Sequence, residues 1–326
     1  MKLRQIQYVV EVVDSGMNVT AAAEALFTSQ PGISSQVKRL EEELGVQIFK
    51  RNGKHIDGLT TVGVDLVDRF RKILAMVDNV HKQASDYTQP DQGTLSIATT
   101  HTQARYVLPN VISRFREKYP KVNLQIHQGT PDQIASMAAS GEADIGIATE
   151  ALELFSDLIL LPCYRWNRCV MVPKGHPLAE EEMLTVEAIA NFPIITYVFG
   201  VADRSVINRA FKDKGLDLDV VLTAADAEVI KTYVRNGLGI GICARMAYDI
   251  QQDQDLQVLD ARHLFDSSVT SLAIHSQNQL RNYVFDFIQM FSPHLTKEVV
   301  VKSLNTSDKK LQSDLYTQYV EEAEMR

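Results

Sequence analysis

The stretch TAAAEALFTSQPGISSQVKRLEEE, Thr20 to Glu43, narrows the possible folds more than any other part of the chain. Ala21, Ala22, Ala23 and Ala25 give a first short helix a face small enough for close approach by a second helix, with Leu26 as its apolar anchor. Thr28, Ser29 and Gln30 interrupt that pattern. Pro31 suits a first helical turn, where its missing N–H would have no partner in any case. A second helix then runs from about Pro31 to Leu44, with Ile33, Val37, Leu40 and Leu44 spaced as one buried stripe. Ser34, Ser35, Lys38 and Arg39 occupy the opposite face beside Thr28, Ser29 and Gln30. That face is short-chained, polar and partly cationic, as a surface that reads base edges in the DNA major groove must be. A plain helical hairpin with a solvated outer face would share the periodicity.

The flanks favour the first of these readings. Residues 1–13 form a third amphipathic helix, with Leu3, Ile6, Val9, Val10 and Val13 inward. Glu41, Glu42 and Glu43 read as a solvated helix end. Beyond Gly45, FKRNGKHIDGLT places Phe49, Ile56 and Leu59 to pack. Lys50, Arg51 and Lys54 point outward around an Asn52-Gly53 turn, a β-wing with phosphate-directed cations. The net charge of −8, taken over the whole chain, opposes nucleic acid, but residues 1–60 hold seven Lys and Arg against seven Asp and Glu. The acidic excess therefore lies in the body, and a locally cationic face leaves DNA specificity to base contacts and spacing.

From Leu59, the apolar residues Val62, Leu66, Phe70, Ile73, Val77 and Val80 recur at close to the coiled-coil period. A lone helix packed on its own domain is the alternative; its place between a head and a separate body favours a dimer helix. It ends near Ser85, and DYTQPDQG, residues 86–93, reads as a hinge.

Strands and helices then alternate. TLSIATT, VNLQIHQG and DIGIATE are strands, separated by the helices ARYVLPNVISRFREKYP and PDQIASMAASGEA. A second unit follows with strands CVMVP, PIITY, DVVLTA and GIGICA. The chain returns with SVTSLAIH and the helix RNYVFDFIQMFSPHL. This predicts a mostly parallel, doubly wound α/β body of two lobes, with crossovers near Pro162 and Asp266 and a ligand site between the lobes. The boundaries expected are a head over 1–58, a linker helix over 59–88 and an effector domain over 89–295. Lobe I would comprise 93–162 and 267–295, lobe II 163–266, and a tail 296–326. The tail reads as a frayed surface helix or an oligomer contact.

ATTHTQARY, Ala98 to Tyr106, offers hydroxyls and backbone N–H groups where a strand meets a helix. Anion binding and plain N-capping by Thr100 or Thr102 both fit. Thr149 ends DIGIAT and should face the same cleft. Trp166, the single tryptophan, lies just past the first expected crossover and could wall it. Other motifs carry less. GLGIGI, Gly237 to Ile242, follows a helix and feeds a strand, the reverse of a dinucleotide fingerprint. His101, His127, His176, His263 and His275 lack ligand spacing, so no metal or cofactor is expected. Cys163, Cys169 and Cys243 form no C-x-x-C pair and read as buried thiols of a reduced cytoplasm, with a redox or metal role as the alternative. No apolar run approaches about 18 residues and no signal-peptide core is present, so the expectation is a cytoplasmic protein without a membrane partner. No nucleophile–base spacing suggests an enzyme; the competing reading is a solute-binding or enzymatic α/β protein with an incidental helical N-terminus.

The N-terminal helix, AAAEALFTSQPGISSQVKRLEEELGVQIFKR and LTTVG together resemble the winged helix-turn-helix of LysR-type transcriptional regulators, with Val62 where the family favours alanine. The resemblance implies a coiled-coil linker helix that pairs two heads and a two-lobed periplasmic-binding-protein-like effector domain. It also implies DNA contacts from Thr28, Ser29, Gln30, Pro31, Ser34, Ser35, Lys38, Arg39, Arg51 and Lys54. ATTHTQARY, HQGTPDQIA, GEADIGIATE, LPCYRWNR, AEVIKTYV and DFIQMFSPHLT extend the likeness over essentially the whole chain to the cysteine-regulon subfamily, CysB- and Cbl-like, with the C-terminal end nearer the former. That subfamily implies activation of sulfur-assimilation and cysteine-biosynthesis genes. The partners implied are double-stranded DNA, RNA polymerase and a second copy of the chain in a homodimer or homotetramer. The effectors implied are N-acetylserine or O-acetylserine, with sulfate or thiosulfate competing. Thr100, Thr102 and Gln103 would hold the anionic end, Thr149 would add a hydroxyl, and Trp166 would pack across. In FGVADRS, Ala202 stands where the family carries threonine and Asp203 where it carries glycine, so one anion contact is expected to be missing. A LysR-type regulator of a different small anionic effector is the alternative.

Overall fold

The computed structural model describes residues 1–53, 55–198, 206–306, 309–322 and 324–325, in two compact units, Met1–Ser85 and Asp86–Arg326. The first unit contains α1 (Leu3–Asp14), α2 (Val19–Ala25), α3 (Gln30–Leu44), the hairpin β1 (Phe49–Asn52) and β2 (His55–Leu59), and most of α4 (Thr61–Thr88). Asn18 caps α2 by accepting from the Thr20 and Ala21 amides, and Ser29 caps α3 by accepting from the Gly32 amide at 3.2 Å. Gly45 ends α3 in the left-handed region at φ 69°. Ile6, Val9 and Val12 meet Ala22, Ala23, Ile33, Val37 and Leu40 in one core, which Ile48, Phe49, Val67 and Phe70 complete.

Three expectations change here. Leu3 and Leu44 are exposed and Val13 only half-buried; Tyr8 and Val12 fill the α1 face of the core instead. Glu41 is buried rather than solvated. Its carboxylate accepts from the amides of Ile48 at 2.8 Å and Phe49 at 3.2 Å and from Arg51 Nη2 at 2.8 Å. Leu59 closes β2 rather than opening the linker helix, which begins where Thr60 Oγ1 accepts from the Gly63 amide. A Cβ at Gly63 would overlap the Ile48 carbonyl oxygen, so the α4 entry requires glycine. Further along α4, Val62, Met76 and Val80 remain exposed.

The second unit contains β3 (Gln92–Thr99), α5 (His101–Tyr106), α6 (Leu108–Lys118), β4 (Lys121–Gln128), α7 (Pro131–Ser140) and β5 (Ile145–Ala148). Next come β6 (Leu158–Trp166), β7 (Arg168–Pro173), α8 (Val186–Ile189), β8 (Ile194–Tyr197), α9 (Val206–Lys212) and β9 (Val220–Ala224). After these come α10 (Ala227–Arg235), β10 (Ile240–Ala244), β11 (Leu256–Asp260), β12 (Ser268–His275), α11 (Asn282–Phe291), α12 (Lys297–Leu304), α13 (Lys309–Glu322) and β13 (Glu324–Met325). One sheet has the order β13-β6-β12-β5-β3-β4, the other β11-β7-β10-β8-β9. Both are mixed rather than mostly parallel. β4, β3 and β5 run parallel, as do β9, β8 and β10, while β12 and β7 pair antiparallel with their neighbours. The antiparallel strands arise because the chain passes between lobes as extended segments rather than through helices.

The first passage lies at Asn167, between β6 and β7, and not at Pro162. Trp166 therefore ends lobe I instead of following the crossover. Pro162 sits inside β6 where the register with β12 shifts between Thr270 and Ser271, a bulge that tolerates its missing N–H. The helix expected after Thr100 is two helices. It starts earlier, at His101, and breaks at Val107, because Pro109 cannot donate to the Arg105 carbonyl. The tail is not a frayed helix: Val300, Leu315 and Tyr319 are buried, and β13 extends the sheet edge alongside β6. Among the described residues, no helix is long and apolar enough to cross a membrane.

Candidate functional site

In the first unit, α3 turns Ile33, Val37 and Leu40 inward, which leaves Gln30, Pro31, Ser35, Lys38 and Arg39 exposed and Thr28 and Ser34 half-exposed on one surface. Ser29 is exposed too, but its hydroxyl is committed to the cap. Gln30 Nε2 donates to Ser34 Oγ at 3.1 Å, and Lys38 pairs loosely with Glu42 at 3.7 Å. Arg51 stands on the wing beside exposed Lys50, with its guanidinium anchored by Glu41. The anchor leaves the remaining guanidinium N–H groups for a phosphate. Lys54, the other cation expected on the wing, lies outside the described residues.

In the second unit, a cleft of about 120 Å³ opens between the two sheets, at the C-terminal ends of β3, β5 and β8. Thr100, Thr102, Gln103, Thr149 and Trp166 all line it, so the residues expected from sequence converge. Ala202 and Asp203 lie outside the described residues. Thr100 follows β3 and caps α5, accepting from the Gln103 amide at 3.5 Å. Gln103 is buried and engaged at both ends of its side chain. Its Oε1 accepts from the Tyr164 hydroxyl, and its Nε2 donates to Thr270 Oγ1 at 3.3 Å. Only one side-chain N–H of Gln103 remains for a ligand. Thr270 Oγ1 lies 3.3 Å from Thr149 Oγ1, which accepts from Trp166 Nε1 at 3.3 Å. One polar chain thus fixes the indole and both threonines.

The opposite wall was not read from sequence. Tyr197, at the end of β8, places its hydroxyl 3.4 Å from Thr102 Oγ1 and accepts from the Ala244 amide at 3.4 Å. Burial holds its pKa far above the ordinary phenol value, so the hydroxyl stays a neutral donor. Arg168, the first residue of β7, is buried; its Nη1 donates to Ser268 Oγ at 2.7 Å and its guanidinium lies 4.8 Å from the Trp166 ring centroid. Burial lowers its pKa, against a raising influence from Glu150, but a guanidinium remains charged. The available signal was a charge opening an otherwise apolar strand, RCVMVP, two residues after the lone tryptophan.

Outside the cleft lining, Arg105 and Tyr106 of lobe I meet Glu228 of lobe II. The Tyr106 hydroxyl donates to Glu228, and Arg105 Nε lies 3.4 Å from its carboxylate. Behind them, buried Lys231 bridges Glu228 at 2.6 Å and Asp253 at 2.8 Å. Cys163, Cys169 and Cys243 are all buried and none forms a disulfide, and no cluster of metal-ligating side chains occurs among the described residues.

A three-helix head with a capped recognition helix and wing, followed by a cleft between two mixed sheets, has clear counterparts. Residues 3–69 match the bacterial regulatory helix-turn-helix protein, lysR family, and residues 88–296 match the LysR substrate binding domain. The chain belongs to the LysR family of transcriptional regulators. It is 50% identical over 308 residues to the HTH-type transcriptional regulator CysB of Haemophilus influenzae, covering 94% of this chain and 95% of that one. It is 49% identical over 297 residues to the HTH-type transcriptional regulator SsuR of Burkholderia cenocepacia, covering 91% and 96%. Among solved structures, the cofactor-binding domain of the Cbl transcriptional regulator superposes with a TM-score of 0.63 at 46% identity, covering 66% of this chain and 95% of that one. These relatives place the chain on the CysB- and Cbl-like branch of the LysR family, a branch of DNA-binding regulators rather than enzymes.

Proposed function

We propose that this LysR-family regulator activates genes of sulfur assimilation and cysteine biosynthesis, and that a small anionic effector in the cleft of the second unit controls it. The observation that carries the reading is the convergence of Thr100, Thr102 and Thr149 with Trp166 on one cleft, in a chain half identical to CysB. Three hydroxyls around a small cavity suit an acetylserine carboxylate or a sulfur oxyanion better than an apolar ligand. In this reading Gln103, engaged at both ends, positions Thr270 and offers one N–H.

The operator would be read by Gln30, Pro31, Ser34, Ser35, Lys38 and Arg39, with Thr28, Ser29, Arg51 and Lys54 at the flanking phosphates. The exposed Val62, Met76 and Val80 of α4 support pairing of two copies into a homodimer or homotetramer on a two-fold site, where RNA polymerase is recruited. A ligand regulates such an assembly only by binding two of its arrangements unequally. Ala202 and Asp203, at sequence positions where the family carries threonine and glycine, favour a second reading, a different small anionic effector.

Calorimetric titration with N-acetylserine, O-acetylserine, sulfate and thiosulfate tests the effector. Thr100→Ala should weaken the bound ligand by about 10-fold or more, the worth of one hydrogen bond to a charged group, while operator binding without effector persists. Binding of none of the four would remove the sulfur assignment and leave the family. In a mobility-shift assay, Arg39→Ala and Ser34→Arg should each abolish operator binding with effector binding intact; unchanged binding would move those residues off the interface.

A further inference from the structure

We propose that Arg168 is the charge-selecting residue of the cleft: its guanidinium receives the anionic group of the effector, and Trp166 and Ser268 hold it in place. The inference rests on the effector reading above and extends it to a residue which that reading does not use. Arg168 is 7% exposed and lines the cleft. Among the described residues, no carboxylate stands within ion-pair distance of it; Glu150, the acid that influences it, is exposed at the rim. Its fixed contacts are a hydroxyl, Ser268 Oγ at 2.7 Å, and the indole face of Trp166 at 4.8 Å. A buried cation with only neutral partners is costly, and an anion delivered by a ligand relieves that cost. The planar guanidinium offers five donors in a fork that matches a carboxylate or tetrahedral oxyanion, and one contact to Ser268 leaves most of them unused.

The position carries a second consequence. Arg168 opens β7 directly after the first crossover and Ser268 opens β12 directly after the second, so their hydrogen bond ties the two strands that join the lobes. Trp166 donates through Nε1 to Thr149, so an anion at Arg168 is sensed along the same polar chain that positions the threonines. The ligand class is a small molecule bearing a carboxylate or sulfur oxyanion, discriminated from its neutral analogues at this one residue.

The test uses the full chain and its single tryptophan, which the Arg168 stack makes a direct fluorescence reporter. N-acetylserine and its uncharged primary amide are titrated into the wild type and into Arg168→Met and Arg168→Lys, with melting temperatures recorded. The wild type should prefer the acid to the amide by at least 10-fold. Arg168→Met should bring that ratio close to one, and Arg168→Lys, which keeps the charge, should retain most of it. A purely structural hinge role would weaken acid and amide together and leave the ratio in place, which overturns the inference. Should Arg168→Met fail to fold, Arg168→Gln, which keeps a donor for Ser268, carries the same comparison. If the wild type binds neither compound, nor sulfate or thiosulfate, the effector reading itself falls, an outcome distinct from unchanged selectivity in Arg168→Met.

Discussion

Glu41 shows how a single side chain can reverse the surface reading of a helix end. It belongs to a run of three glutamates, and Glu42 and Glu43 are indeed exposed. Glu41 instead turns into the gap between α3 and the wing, where it accepts from two backbone amides and from Arg51. Glu41→Ala should destabilise the head by about 3 kcal/mol, since it strands two buried N–H groups. Thermal denaturation would show a lowered head transition with effector affinity unchanged; a loss under 1 kcal/mol would mean that water replaces the carboxylate. Its role was not legible in sequence because its partners are backbone amides, which every residue has. Thr100, Thr102, Thr149 and Trp166 were legible because hydroxyls and the lone indole advertise themselves at strand ends. Arg168 and Tyr197 were missed because each sits at the end of an apolar strand that alone explained the local pattern.

At the scale of elements, α10 ties the two lobes through Glu228. Its pattern, AEVIKTYV, reads as an amphipathic helix, and Ala227, Ile230 and Val234 are buried as that period requires. The period does not show that Lys231 shares the buried face, where it joins Glu228 to Asp253. Burial alone would raise both carboxylates. Hydrogen bonds from Lys231, from Tyr106 to Glu228 and from Arg235 and the Asp249 amide to Asp253 outweigh it, and both pKa values fall below the ordinary range. A depressed carboxylate contributes stability that is fully present above its unfolded value, about 4, and is lost as pH drops through the lower folded value. Stability of the second unit should therefore hold from neutrality to about pH 4 and fall below it. Lys231→Met should destabilise it by about 3 kcal/mol at neutral pH, because buried Asp253 loses a partner, and should shift the acid loss upward. Denaturant titration between pH 3 and pH 7 checks both; an unshifted acid limb would detach these carboxylates from Lys231.

At the scale of the molecule, the sequence pattern resolved head, linker helix and α/β body because each has its own period. It did not resolve the tail, because in residues 297–326 the apolar positions are interspersed with polar and charged ones that hide the packed face. Leu315 and Tyr319 of α13 are buried, and the Tyr316 hydroxyl lies 3.0 Å from Ser271 Oγ, one residue from Thr270 of the cleft chain. α13 covers β6, and β13 pairs with it through Glu324 and Met325 opposite Tyr164 and Arg165. Without them β6, a nine-residue and largely buried strand, would become an open sheet edge. Such an edge is a template for pairing with another chain. Truncation after Thr306 should therefore lower the melting temperature of the second unit by several degrees. It should also produce concentration-dependent association beyond the native oligomer, visible by sedimentation velocity, while the head keeps its helical content. Leu315→Asp with Tyr319→Ser in the full-length chain should reproduce the effect, because it undocks α13 without shortening the protein. If both forms sediment and melt as the wild type does, α13 is a passenger on the sheet, and the edge of β6 does not depend on the tail for its protection.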